Sequence, residues 1–345
     1  MIIIFYFTKS INLVRTTLKW IVILLILIIG IFFLGPRVSF NPIDPTPITY
    51  EIPLEGIESY ISDKEHDVAN IKPGNEAKIV WADSIKKTEY VVVYLHGFSA
   101  SHEEGAPLHT EFAARYGANL YLPRMYDHGI DSEDTFKGLL PEDLINSAKE
   151  AVAIGRLLGD KIILMTCSTG GTLGAILTPY DQDIHSMYMY SPNIDVYDSN
   201  SELIVGPWGA QLLRGVMGGD YNKISYNDIA KKYWTPIYHI DGLIALKWLI
   251  DQEMTEENFA KINIPIYLGY YYKNDEQQDK VVSVSRMLEF YDQISTPDEM
   301  KRKEAFPDAG RHVITSYVFS QDIDNVIQNS FDFAEQILEL DPVND

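Results

Sequence analysis

Two segments of the chain are apolar along almost their whole length and are flanked by sequence typical of helices. Residues 90–95 read YVVVYL and residues 161–166 read KIILMT. Continuous apolar runs of this length indicate strands that are buried on both faces, as in the middle of a parallel sheet. Because parallel neighbours cannot be joined by a tight turn, the chain must return through crossover connections, which leaves few folds available.

Further strands and helices alternate along the rest of the chain. We predict strands at 77–82, 118–122, 185–190, 265–271 and 303–306, and helices at 141–158, 172–177, 281–294 and 322–340. This order is typical of an α/β protein in which helices cover both faces of a mostly parallel sheet.

Residues 192–263 interrupt the alternation. They show no clear strand pattern and contain many aromatic residues. Because a structureless loop of this length is uncommon, we predict a helical cap insertion at about 192–263 that covers the carboxyl edge of the sheet.

The first 40 residues differ from everything that follows. Residues 20–34 (WIVILLILIIGIFFL) carry no charge, and Lys9, Arg15 and Lys19 precede them. This pattern indicates a single transmembrane helix, with its N-terminus in the cytoplasm and the folded body extracytoplasmic. The apolar run is short for a span, so a cleaved signal peptide and a secreted body are the alternative, although no small-residue cleavage site follows.

These features divide the chain into three parts. We predict a membrane anchor at 1–40, a proline-rich spacer with a lead-in helix at 41–74, and the α/β domain with its cap at 75–345. Residues 41–50 (NPIDPTPITY) contain three prolines, which stop a helix and favour a stiff spacer off the membrane.

The charge balance excludes several kinds of partner. The chain has 28 lysines and arginines against 49 aspartates and glutamates, a net charge of −21, and its first 40 residues hold only bases. The body is therefore strongly acidic and repels phosphate backbones, so no nucleic-acid partner is expected. Cys167 is the single cysteine, and the histidines lack the paired spacing of metal ligands, so we expect no metal and no other cofactor.

A serine follows one of the buried strands directly. Residues 161–172 read KIILMTCSTGGT, which places Ser168 between a strand and a helix. Such a turn exposes the hydroxyl, and the N–H of Thr169 at the helix N-terminus faces any oxyanion formed there. A phosphate-binding turn is the alternative, but it would carry lysine where Thr172 stands.

A second turn follows the other buried strand. His96 and Gly97 come directly after residue 95. Glycine lets the backbone turn so that the N–H of Phe98 points into the same site. His96, taken alone, is more often a structural side chain of the loop.

An acid and a histidine follow later strands in an order that suits the serine. Residues 274–279 (NDEQQD) follow one strand, and residues 306–312 (FPDAGRH) follow the next and end in His312. Serine becomes a nucleophile when a histidine accepts its proton, and the histidine needs a carboxylate to fix its tautomer. Asp275, Glu276 and Asp279 can each supply that carboxylate, and Asp279 is favoured because it leads directly into an apolar helix.

Residues of about 75–340 resemble the α/β-hydrolase superfamily, and its cap-bearing esterase and monoacylglycerol-lipase-like branch is most similar. The matching motifs are His96-Gly97, the turn around Ser168, Asp279-Lys280-Val281-Val282 and Gly310-Arg311-His312. The resemblance implies that Ser168 is the nucleophile, Asp279 the acid and His312 the base. It also implies that the N–H groups of Phe98 and Thr169 form the oxyanion hole. The chain departs from the family at Thr166, where the turn usually begins with glycine.

We therefore predict a serine hydrolase that cleaves carboxylic esters of apolar, uncharged substrates through an acyl-enzyme on Ser168. Four residues of nearby loops are possible pocket residues: His96, Glu104, His109 and Asp127. A serine peptidase or aminopeptidase of the same fold is one alternative, since the acidic residues of the cap could bind an ammonium group. A non-catalytic binding protein of the same fold is the other, and Thr166 alone supports it. The expected partners are a small-molecule ester and, through the N-terminal helix, a membrane.

Overall fold

The computed structural model describes residues 2–343, and for residues 2–13 it describes the backbone alone. Met1 of the predicted anchor and residues 344–345 of the predicted α/β domain lie outside the described residues.

The strands of the described residues form one large sheet and one small hairpin. They are β1 (Lys78–Val80), β2 (Thr88–Leu95), β3 (Asn119–Leu122), β4 (Gly159–Cys167), β5 (Ile184–Tyr190), β6 (Tyr221–Lys223), β7 (Ile237–His239), β8 (Ile266–Tyr270) and β9 (Lys301–Ala305). The large sheet has seven strands in the order β1-β3-β2-β4-β5-β8-β9. Every neighbouring pair in it is parallel except β1 with β3, so the prediction of a mostly parallel sheet is confirmed.

The central strand β2 shows why its sequence is apolar throughout. Val91, Val93 and Leu95 pack into the core on one face of the sheet, while Val92 and Tyr94 pack into the core on the other face. All five side chains are fully buried. A strand in this position has no face that can carry polar residues.

Helices cover both faces of the sheet, as predicted. They are α1 (Ile2–Phe33), α2 (Ile57–His66), α3 (Leu108–Arg115), α4 (Pro141–Leu158), α5 (Thr169–Leu177), α6 (Gly209–Met217), α7 (Ala230–Tyr233), α8 (Asp241–Glu253), α9 (Glu256–Phe259), α10 (Val284–Gln293) and α11 (Ile323–Gln336). Side chains of α4, α5 and α10 belong to one core, and those of α3 and α11 to the other. α4 begins at Pro141 because proline lacks the N–H that a first helical turn leaves unpaired.

The predicted cap region, residues 192–263, is not purely helical. Between α6 and α8 the strands β6 and β7 pair antiparallel, with Tyr221 opposite His239. The prediction of a segment without strands is wrong here. Strands of three residues are too short to leave a period of two in the sequence.

α1 extends the apolar segment beyond its predicted start. Within it, Val14–Phe33 is 20 residues long, has a mean hydropathy of 2.5 and is not buried. At 1.5 Å per residue such a helix is about 30 Å long, which matches the hydrocarbon core of a bilayer. Its length and composition suit a membrane span, and they also suit a signal sequence.

The proline-rich segment after α1 lies against the body and does not stand away from it. Phe40, Ile43 and Tyr50 pack on the core. The Asp44 carbonyl accepts a hydrogen bond from Lys149 Nζ at 2.9 Å. The predicted lead-in helix, α2, follows this segment. The C-terminal end of α1 is therefore fixed relative to the α/β domain.

Candidate active site

Ser168 lies at the sharp turn between β4 and α5. Its backbone has φ +51° and ψ −118°, a conformation that residues other than glycine rarely adopt. The Ser168 N–H donates to the Tyr190 carbonyl at 3.0 Å, and the Ser168 carbonyl accepts the N–H of Asn193 at 3.0 Å. A strained backbone that its surroundings maintain in this way is characteristic of functional sites.

Glycine is required two residues after the serine, because α5 passes very close to β2. A Cβ atom at Gly170 would lie 1.9 Å from the Leu95 carbonyl oxygen. No side chain can occupy that space, so Gly170 allows the helix to begin directly behind the serine.

Thr166 fits where the family's turn usually has glycine. Its side chain is fully buried, and its hydroxyl donates to the Tyr188 carbonyl at 2.9 Å. A Cβ atom at Gly174 would lie 3.3 Å from the Thr166 methyl group, so a glycine in α5 provides the room that the threonine needs. The departure from the family pattern therefore leaves the turn intact.

His312 and Asp279 are joined by a short hydrogen bond. His312 Nδ1 lies 2.6 Å from Asp279 Oδ2, and the other Asp279 oxygen accepts the N–H groups of Val281 and Val282 at 2.8 and 3.2 Å. Burial alone would lower the pKa of His312. The charge and hydrogen bond of Asp279, with a further contribution from Glu104, outweigh burial and raise that pKa above its usual value of 6.5. The bond keeps Nδ1 protonated and leaves Nε2 to accept a proton.

The other two acids of the same loop point elsewhere. Asp275 is exposed and accepts a hydrogen bond from the Tyr272 hydroxyl at 2.9 Å. Glu276 is exposed, although it borders the same cavity as Ser168. Of the three acids that the sequence leaves open, Asp279 is the one that the fold brings to His312.

Two backbone N–H groups beside Ser168 have no acceptor. Among residues 2–343, the N–H groups of Phe98 and Thr169 enter no hydrogen bond. Both residues border the cavity that contains Ser168. Unpaired N–H groups at such a position can stabilise an oxyanion.

His96 stabilises the turn that carries Phe98. Its Nε2 accepts the N–H of Met125 at 3.2 Å, so the proton is on Nδ1, which donates to the Gly97 carbonyl at 3.0 Å. Burial lowers the pKa of His96 to about 4, so the ring is neutral near pH 7. The Gly97 N–H donates to Glu104 Oε2 at 2.6 Å, which fixes the other side of the same turn.

Of the four residues predicted for the pocket, Glu104 is the one on the cavity wall. His96, His109 and Asp127 are directed into the loops instead. His109 Nε2 bonds a carbonyl of the loop before α3, and Asp127 accepts the N–H of Phe136. The prediction is not met for these three because a residue in a loop can face either the cavity or the loop's own backbone.

The cavity has a volume of about 690 Å³. Ser168, Asp279 and His312 lie on its wall. Its other lining side chains are mostly apolar. The cap supplies Ile224, Tyr226, Trp234, Tyr238, Leu243 and Leu246, and the segment after β9 supplies Val313 and Phe319. The sequence identified the cap aromatics as a group, but it carries no signal for Leu243 and Leu246, because a lining leucine on a helix resembles a core leucine.

The Ser168 side chain is 7% exposed. Among the described residues, its hydroxyl enters no hydrogen bond, so the contact with His312 Nε2 is not formed in this state. Catalytic hydrogen bonds are often long without substrate and tighten when the substrate binds.

Glu104 is a buried carboxyl group next to the serine. A Cβ atom at Gly97 would lie 2.8 Å from Glu104 Oε1 and 3.0 Å from Ser168 Cβ, so both side chains border the same glycine. Burial raises the pKa of Glu104 to about 7, although the Gly97 N–H and the charge of His312 act in the opposite direction. The thiol of Cys167 is also buried here, and burial together with Glu104 raises its pKa well above its usual value. The thiol is therefore protonated and unsuited to be the nucleophile.

One trio of carboxylates within the described residues is close enough to share a cation: Asp195, Glu202 and Asp251. Lys247 Nζ already bonds all three of them. Burial alone would lower the pKa of Lys247, but the three carboxylates outweigh it and raise that pKa. The ammonium group is therefore charged and occupies the place that a metal would take.

No protein-family model matches the chain, and no curated protein is similar to it in sequence. Several solved structures are similar in fold. A structure of the metagenome-derived lipolytic enzymes LipS and LipT has a TM-score of 0.61 at 16% identity and covers 76% of this chain and 98% of its own. The monoacylglycerol lipase of Paleococcus ferrophilus has a TM-score of 0.53 at 12% identity and covers 74% and 96%. The α/β hydrolase GrgF from Penicillium has a TM-score of 0.53 at 14% identity and covers 76% and 99%.

These similarities and the sheet order identify the fold. The chain has the α/β-hydrolase fold, which confirms the resemblance found in the sequence.

Proposed function

We propose that this protein is a serine hydrolase that cleaves carboxylic esters. The observation that carries the proposal is the position of Ser168, Asp279 and His312 on the wall of one cavity. Ser168 is held at a strained turn, and His312 is bonded to the buried Asp279. The similarity in fold to lipolytic enzymes and to a monoacylglycerol lipase supports esters as the substrate class.

In the proposed reaction, Ser168 Oγ attacks the ester carbonyl carbon while His312 Nε2 accepts the hydroxyl proton. The N–H groups of Phe98 and Thr169 stabilise the negative charge on the carbonyl oxygen, an effect worth about 3–4 kcal/mol per donor in comparable sites. His312 then gives the proton to the leaving alcohol. Water hydrolyses the acyl-enzyme through the same steps.

The apolar lining of the cavity supports an apolar, uncharged substrate. Tyr226, Trp234 and Tyr238 of the cap supply a large aromatic surface. The acidic body, with a chain net charge of −21, disfavours anionic substrates.

The peptidase alternative needs acidic cap residues that reach the site. Among the described residues, no carboxylate of residues 192–263 borders the cavity, and Glu202 and Asp251 are paired with Lys247. A cavity without such an acid has no group in its cap to bind a substrate ammonium.

We therefore expect kcat/KM for p-nitrophenyl esters to rise with the length of the acyl chain. We expect almost no hydrolysis of aminoacyl-naphthylamides. The physical reason is that the lining gains apolar contact with each added methylene, while no carboxylate of the cap borders the cavity to pair with a substrate ammonium. Side-by-side kcat/KM values for the two series test this, with Ser168→Ala as the background. A higher kcat/KM for the amides would contradict the ester assignment.

The pH dependence of kcat/KM tests whether Glu104 raises the pKa of His312. We expect the acidic limb of kcat/KM to move to lower pH in the Glu104→Gln variant. As pH rises through about 7, Glu104 ionises, and its charge stabilises the protonated ring and raises the pKa of His312. His312 must be neutral to accept a proton, so removing the charge lets the active form appear at lower pH. Glutamine keeps an oxygen for the Gly97 N–H.

The matched control for that profile is Glu103→Gln. Glu103 is the neighbouring acid, accepts a hydrogen bond from the Tyr317 hydroxyl at 3.4 Å and does not border the cavity of Ser168. Its substitution should leave the limb in place. The proposed coupling is wrong if both variants shift alike or if Glu104→Gln does not shift.

We also propose that α1 stays attached as a single membrane span, with the N-terminus in the cytoplasm and the body extracytoplasmic. The length of Val14–Phe33 and the basic residues before the apolar run support this orientation. A C-terminal alkaline phosphatase fusion, which needs an oxidising compartment, should be active and should remain with the membrane fraction. Activity in the soluble fraction would favour the secreted form.

A further inference from the structure

The outward face of α6 carries apolar side chains that remain exposed in part or almost wholly. Trp208, which precedes the helix, Leu212 and Val216 are four residues apart and so lie on one face. They are 36%, 42% and 84% exposed. On the opposite face, Leu213 is buried against Ile244. We refer to Trp208, Leu212 and Val216 as the outer stripe of α6.

The outer stripe begins where α1 ends. The Trp208 N–H donates to the Pro36 carbonyl at 2.8 Å, and the indole Nε1 lies 3.4 Å from the Ile31 carbonyl. Ile31 belongs to the last turn of the apolar segment Val14–Phe33. A tryptophan with an apolar ring and one polar N–H is the residue most typical of the boundary between hydrocarbon and water.

The connection between α1 and the cap is packed. Val38 and Phe40, which follow α1, pack against the cluster formed by Leu213, Ile240 and Ile244. The end of α1 therefore cannot separate from α6 without exposing this cluster to water.

We propose that the outer stripe of α6 docks in the interfacial layer of the bilayer that α1 enters. The inference rests on the proposed membrane span and does not depend on catalysis. Lipid is favoured as the occupant because the stripe continues directly from the end of that span. The neighbouring residues Gln211 and Gly215 are exposed and uncharged, so the contact is apolar and should persist at high salt.

The docked position also relates the bilayer to the cavity. Leu243 borders the cavity, and it packs against the same cluster as Leu213 on the inner face of α6. One layer of side chains therefore separates the docked helix from the cavity wall.

The test uses the full chain in phosphatidylcholine vesicles and an environment-sensitive fluorophore (NBD) at single introduced cysteines. Val216→Cys reports on the stripe, Ile26→Cys on the anchor, and Ile85→Cys on an exposed apolar residue in the loop before β2. Cys167 is buried, and the chain without an introduced cysteine measures its background. Fluorescence is quenched by phosphatidylcholine with a nitroxide near the headgroup, which reports on the interface, or on the acyl chain, which reports on the hydrocarbon core, or by iodide in the water.

We expect the label at 216 to be quenched by the nitroxide lipid and protected from iodide at low and high salt, and the label at 85 to behave in the opposite way. Adding Leu212→Glu should abolish the lipid quenching at 216 and leave that at 26 unchanged. Lipid quenching at 26 without quenching at 216 overturns the docking, while the proposed membrane span still stands. Absence of lipid quenching at both 216 and 26 overturns both the docking and the membrane span. Protection at 216 that grows with protein density and not with lipid assigns the stripe to a second copy and also overturns the proposal.

Discussion

Substitution of Ser168 by alanine should reduce kcat for ester hydrolysis by about 10⁶-fold, the size of the loss when a serine hydrolase loses its nucleophile. The effect is large because, in the proposed reaction, the hydroxyl oxygen forms the acyl-enzyme. Cys167 is fully buried, and its raised pKa keeps it protonated. The variant should keep the fold, since alanine fills the same turn without adding volume. Turnover of a p-nitrophenyl ester and labelling by a fluorophosphonate probe measure the loss.

Ser84→Ala is the matched control for this substitution. Ser84 is an exposed serine in the loop before β2, at the amino end of that strand, whereas Ser168 follows the carboxyl end of β4. Its replacement should leave both rate and labelling unchanged. Labelling that survives in Ser168→Ala would show that the nucleophile lies elsewhere. A folded, unlabelled native protein would favour the non-catalytic binding protein.

Substitution of Asp279 by asparagine should reduce kcat by about 10⁴-fold, the size of the effect when a buried triad aspartate becomes an amide. Asparagine keeps the shape but loses the charge, and its amide can force His312 into the wrong tautomer. The loss of charge also lowers the pKa of His312, because Asp279 is the main group that raises it. Steady-state kinetics over a range of pH separate the two consequences.

Asp275→Asn serves as the comparison for Asp279→Asn. Asp275 lies four residues earlier in the same loop and bonds the Tyr272 hydroxyl, so its replacement should change kcat by less than about 2-fold. A large loss in Asp275→Asn with a small loss in Asp279→Asn would reverse the assignment of the acid.

The strands were predictable because each carries a strong local pattern. Residues 90–95 are apolar throughout, since β2 is buried on both faces of the sheet, and every predicted strand of the large sheet is present within two residues of its predicted ends. The hairpin of β6 and β7 was missed for the opposite reason. Its short strands are held by contacts across the cap, and those contacts have no period in the sequence.

The candidate site was only partly predictable. Ser168 and His312 follow strands of a parallel sheet, and the carboxyl ends of such strands meet at one edge, so the sequence could place both there. The pocket predictions were less accurate. His96 and His109 bond backbone groups of the loops, and Glu104 alone borders the cavity.

The amino-acid sequence by itself determined the α/β fold, the turn at Ser168 and the apolar N-terminal helix, because burial and tight turns constrain consecutive residues. Only the tertiary structure decided that Asp279 and not Asp275 reaches His312, that Gly174 makes room for Thr166, and that the cap meets the end of α1 at Trp208. These contacts join residues that are distant along the chain, or they depend on the direction in which a loop side chain points. The local periodicity of the sequence contains no information about distant contacts or about side-chain direction.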